Sequence, residues 1–110
     1  TMEKIALMEK WPTGIYCEHD IIAVGMLKYL AMHKRCRFHP SIIGSDDIEE
    51  AQFTTPMLTT IRLPKEDMGR FGLYLLLDRL RGRHTAVTRM SLEVKLMVRG
   101  SCEEIQLQEI

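Results

Sequence analysis

Hydrophobic and polar positions divide the chain into segments with different periods. In residues 1–10, Met2, Ile5, Ala6 and Met8 fall among charges at a partial helical spacing that Pro12 stops, which predicts the end of a helix. Residues 13–17 form a short apolar run without alternation, the pattern of a strand buried on both faces, and Glu18-His19-Asp20 punctuates it. In residues 21–32 Lys28 is the only charge, and Asp20 stands where an N-cap belongs. An ordinary surface helix carries one apolar stripe. This one is apolar on two sides, one to pack on a sheet and the other to meet a partner.

The positive run His33-Lys34-Arg35-Cys36-Arg37 suits a helix C-terminus, and Phe38-His39-Pro40 turns the chain into a second buried strand at residues 41–45. Two buried strands joined by one helix make a right-handed βαβ unit with parallel strands, so the expected fold class is α/β with a parallel sheet. Residues 46–51 read as an acidic first turn with Asp47 as its cap, and residues 58–62 as a β-branched strand. Pro64 at the first helical position, Glu66 and Asp67 after it, Arg79 and Arg81 near the end and Gly82 beyond predict a helix whose core face is Met68, Gly72, Leu75 and Leu76. Residues 90–98 alternate, with Leu92, Val94 and Leu96 on one side, as in a half-exposed or edge strand.

Composition narrows the function. The chain has 110 residues, 45% of them hydrophobic, with 15 basic and 15 acidic side chains, which suits one globular unit with a buried core. Zero net charge gives no basic footprint for nucleic acid or an anionic membrane. No charge-free stretch is long enough to span a bilayer, and the first residues do not read as a signal peptide. The three cysteines, widely spaced, read as reduced thiols in a cytosolic protein, each a small core hydrophobe.

Candidate chemistry gathers where two neighbouring strands end, in Glu18-His19-Asp20 and Ser45-Asp46-Asp47, because open α/β sheets bind ligands beyond the carboxyl ends of their strands. Such a cluster can accept hydrogen bonds from a polyhydroxylated ligand, hold a divalent cation, or poise a general acid and base. Asp20 and Asp47 each have an alternative as helix caps; Asp46, beside a capping Asp, is left free to face the crevice. No phosphate loop, nucleophile elbow, Cys–His pattern or zinc spacing occurs, so no catalytic residue, metal site or cofactor is assigned.

The stretch from Pro12-Thr13-Gly14-Ile15-Tyr16-Cys17-Glu18-His19-Asp20 to Ile21-Ile22-Ala23-Val24-Gly25 resembles the LacI/GalR transcriptional regulators. The likeness continues in order through Ser41-Ile42-Ile43-Gly44-Ser45-Asp46-Asp47, Pro56-Met57-Leu58-Thr59-Thr60-Ile61-Arg62-Leu63-Pro64, Met68-Gly69, Leu76-Leu77 and Arg99-Gly100-Ser101-Cys102. It implies the last third of a regulator whose helix-turn-helix and first part lie upstream. The fold it implies is a three-layer, parallel-sheet, type I periplasmic-binding-protein-like domain, present in part. By the same resemblance residues 1–62 and 97–110 belong to a C-terminal effector subdomain and residues 63–96 to the N-terminal one, with hinges at Ile61, Arg62 and Leu63 and near residues 96–98.

The resemblance assigns His19, Asp20 and Asp46 to effector contact, the effector being a sugar or sugar derivative. It assigns Ala23, Val24, Leu27, Lys28, Ala51 and Phe53 to a homodimer interface. Operator DNA is expected to be bound only through regions outside this chain. The chain departs from the family pattern at His19, usually Asn, at Ser45, usually aromatic, and at Leu63, often Gln. The rival reading is a magnesium-dependent phosphotransfer or hydrolase domain with Asp20, Asp46 and Asp47 as cation ligands.

Overall fold

A computed structural model describes residues 1–105; the expected tail reaches residue 110, and its last five residues lie outside the described ones. Elements run in the order α1 (Met2–Ala6), β1 (Gly14–Tyr16), α2 (Asp20–Met32), β2 (Ser41–Ser45), a 3-10 turn (Glu49–Gln52), β3 (Thr59–Arg62), α3 (Lys65–Leu80) and β4 (Lys95–Met97). The sheet order is β1-β2-β3-β4, with β1, β2 and β3 parallel and β4 antiparallel to β3. The expected βαβ unit is therefore present, with α2 as its crossover.

One core sits under α2. Ala23, Met26 and Leu27 pack with Met2, Cys17, Phe38, Ile42, Ala51 and Leu58, all buried. β2 buries Ile42 and Gly44 while Ser41, Ile43 and Ser45 stay half-covered, and Tyr16 on β1 is exposed. The expectation of strands buried on both faces thus holds for one face only, because among the described residues the other face has no complete layer over it.

Two N-cap readings are corrected. His19 occupies the N-cap of α2 and Ile48 that of the 3-10 turn, neither with a side-chain cap bond; Asp20 is the first helical residue. Their carboxylates are used elsewhere, as the site geometry shows. At α3 Pro64 is the N-cap rather than the first helical residue, and Gly82 takes the left-handed backbone (φ 65°) that ends the helix, as expected.

The single-globule expectation fails beyond β3. The radius of gyration is 19.3 Å, against the roughly 13 Å of a compact chain this size. α3 buries none of its residues. Of its expected core face, Met68, Gly72 and Leu75, together with Phe71, line an open groove opposite Met90, Leu92 and Val94, whereas Leu76 is exposed outside it. Only Lys95–Met97 of the expected strand pairs, since β3 ends at Arg62 and the residues before 95 find no partner strand.

Three of the expected interface residues are corrected by burial. Ala23 and Ala51 are fully enclosed and Leu27 nearly so, all in the chain's own core, so none can reach a second copy. Val24 is half-buried, while Lys28 and Phe53 are exposed. The apolar side chains that α2 leaves outward are Ile21, Ile22 and Met32.

Candidate functional site

The carboxyl ends of β1, β2 and β3 place His19, Asp46 and Arg62 along one edge of the sheet. His19 follows β1 by three residues, and Asp46 follows β2 directly. Their side chains meet: His19 Nδ1 lies 3.2 Å from Asp46 Oδ2. Because a carboxylate only accepts, Nδ1 is assigned as the donor, which leaves Nε2 as an acceptor when the ring is neutral. Both side chains reach solvent, His19 at 57% and Asp46 at 29% exposure. The pair therefore offers adjacent acceptors to a ligand rich in hydroxyl or N–H donors.

Asp46 holds that position on an unusual backbone. Its φ is 120° and that of Asp47 is 50°, a region L-residues seldom occupy and one that persists only where surroundings enforce it. The Asp46 N–H donates to the Ile61 carbonyl at 2.9 Å. The Ile48 N–H donates to Asp20 Oδ2 at 3.0 Å, and the Thr60 hydroxyl donates to Asp20 Oδ1 at 2.6 Å. Asp20 is completely buried and both its oxygens are taken, which corrects its assignment to ligand contact. It ties α2, the loop after β2 and β3 together beneath the site.

That arrangement explains the glycine two residues before Asp46. A Cβ built on Gly44 would lie 2.0 Å from Asp20 Oδ1 and 3.2 Å from Leu58 Cδ2. Only a residue without a side chain leaves room for the buried carboxylate. The nearby Cys17 thiol, buried and in contact with Met26 Sδ, is pushed up in pKa by burial and then by the charge of Asp20.

Asp47 does not face the crevice either. Oδ1 accepts from Arg99 Nη2 at 2.7 Å and Oδ2 from Arg62 Nε, and the side chain is 4% exposed. Burial by itself would raise this carboxyl; hydrogen bonds and charge from Arg99 and Arg62 outweigh it and hold the group below the usual carboxylate range. With Asp20 bound to Thr60 and Asp47 to two arginines, the three carboxylates of the rival reading do not converge. No group of three or more potential ligands able to hold a metal ion occurs among the described residues.

The sequence marks Arg62 only as a hinge residue and gives Arg99, Thr60 and Ser101 no role. Arg99 meets Asp47 across 52 positions, a separation no local pattern encodes, although Arg99-Gly100-Ser101-Cys102 was part of the resemblance. Ser101 closes the gap below the start of β3. Its hydroxyl accepts from the Thr59 N–H at 2.8 Å and donates to the Ile42 carbonyl, while its own carbonyl accepts from the Ile42 N–H.

A Rossmann-like parallel edge supports many functions, so comparison with known proteins decides the family. The family model described as periplasmic binding protein-like domain matches residues 1–102. The chain belongs to that family. Among relatives of the periplasmic binding protein-like family, the HTH-type transcriptional repressor CytR of Escherichia coli strain K12 is 34% identical over 101 residues, 91% of this chain and 30% of the repressor. A transcriptional regulator CelR–cellobiose complex superposes with a TM-score of 0.71 at 33% identity, over 81% of this chain and 28% of that one. The lac repressor dimer bound to operator and the anti-inducer ONPF gives a TM-score of 0.71 at 26% identity, over 83% and 32%. The resemblance to LacI/GalR regulators is borne out, and the chain spans about a third of the length of these relatives. No helix of the described residues is long and apolar enough to cross a membrane.

Proposed function

We propose that this chain is a non-catalytic effector-binding and dimerisation segment of a LacI/GalR-type DNA-binding regulator acting in the cytoplasm. The observation that carries the reading is the solvent-accessible His19–Asp46 pair at the carboxyl edge of the sheet, in a chain that matches the periplasmic binding protein-like domain over residues 1–102. The effector is a sugar or sugar derivative, a reading supported by cellobiose in a relative with 33% identity and by the acceptor-rich edge. His19 and Asp46 form one wall of its site; the other wall comes from outside this chain, as does the helix-turn-helix that meets operator DNA. Residues 1–62 and the segment from residue 97 onward form one subdomain, and residues 63–96 dock on the other, which gives the open groove of α3 its cover. Ligand closing the two parts shifts the population between DNA-binding and released states.

The full-length regulator, titrated with labelled operator in the presence of a panel of sugars, is expected to release or tighten on DNA with at least one of them. Operator affinity indifferent to every sugar in the panel contradicts the proposal. The carboxylate-metal alternative predicts instead a rise in melting temperature with Mg²⁺, which this reading does not expect.

A further inference from the structure

Asp47 has no contact with the crevice, yet both its oxygens are held by guanidinium groups. The polypeptide leaves the sheet along β3, runs through α3 and residues 81–94, and returns along β4. α3 buries nothing of its own, so that outlying body is joined to the core by two neighbouring strands, with Ile61 paired to Leu96 and Arg62 to Lys95. Any movement of the body relative to the core has to pass through them.

Asp47 grips both. Arg62, the last residue of β3, donates to one oxygen; Arg99, two residues beyond β4, donates to the other and also to the Leu58 carbonyl at 3.0 Å. On its other side Asp47 is bonded in sequence to Asp46, and both sit on the left-handed backbone described above. A shift of Asp46 toward a ligand rotates the peptide it shares with Asp47, and a carboxylate fixed at both oxygens cannot absorb that rotation without moving its guanidinium partners. A solvated or singly bonded carboxylate could.

We infer that Asp47 is a positioning residue that couples the ligand-facing Asp46 to the two strands connecting the core with the α3 body, through its paired contacts with Arg62 and Arg99. This rests on the effector-binding reading, but its test has an arm that needs no ligand. In the ligand-free full-length regulator, Asp47→Asn should speed amide hydrogen exchange together in residues 45–48, 61–63 and 95–99. Faster exchange confined to residues 45–48 overturns the coupling.

The second arm separates a link from a mere support. With a sugar to which the wild type responds, Asp47→Asn should keep effector affinity within about threefold while reducing the effector-induced change in operator affinity about tenfold, the latter corresponding to about 1.4 kcal/mol of coupling. Arg62→Gln should shift the same ratio in the same direction; because Arg62 is half exposed and Arg99 still pairs the carboxylate, this variant keeps the test open if Asp47→Asn does not fold. Asp47→Glu should restore part of the ratio. Equal loss of effector affinity and operator response, or an unchanged ratio in both variants, overturns the inference. A wild type that answers no sugar while exchange still rises across all three segments contradicts the functional reading and leaves the mechanical link standing.

Discussion

Gly44 and Asp20 show how one residue choice fixes another across the fold. The buried Asp20 carboxylate stands where a Gly44 side chain would be, and it satisfies the Thr60 hydroxyl and the Ile48 N–H in return. A methyl group at this point meets Oδ1 of a buried carboxylate whose two oxygens are each hydrogen-bonded, so it cannot be absorbed by a rotamer change. Gly44→Ala should destabilise the full-length protein by about 2 kcal/mol, within the usual range for overpacking, read from urea denaturation. A midpoint equal to that of the wild type would show that Asp20 is free to move. From sequence, Asp46 was legible as the unemployed carboxylate, and it is the one that meets His19 in the open. The jobs of Asp20 and Asp47 were not legible: local spacing favours capping, whereas the residues that claim these groups, Thr60, Arg62 and Arg99, lie 15 to 52 positions away from them.

At the scale of elements, the periodicity located the helices and strands to within a few residues where each had a partner in the chain. β2 falls on residues 41–45 as expected, and α2 begins one residue before its expected range. The expectations drifted where the partner is missing: residues 90–94 alternate like a strand but have no neighbour to pair with, and α3 presents its apolar face to an open groove. α2 was apolar on two sides, and only one is used. Ile21, Ile22 and Met32 remain 64%, 47% and 72% exposed. A symmetric two-fold contact along this helix is the simplest way to cover them, two-fold dimers being the commonest closed assemblies. Ile21→Glu should leave the fold intact, since the side chain already reaches solvent, and convert the full-length protein from dimer to monomer in sedimentation velocity. A variant that stays dimeric would move the interface elsewhere.

Over the whole molecule, the fold class and the family were readable because the βαβ unit and the motifs that follow it are local. The elongated shape was not, because composition counts apolar residues without saying whether their cover lies in the same chain. The sheet carries its polar edge at the carboxyl ends of β1 and β2, the core and Asp20 brace that edge from beneath, and the α3 body hangs from β3 and β4 beside it. The central claim is that the Asp46 carboxylate contacts the effector while capping no helix and bracing no part of the core. Calorimetric titration of the full-length regulator and its Asp46→Asn variant with a responsive sugar tests this directly. The expected result is at least tenfold weaker binding by the variant, corresponding to about 1.4 kcal/mol, with the melting temperature within about 2 °C of the wild type. Equal affinities for the two proteins would contradict it.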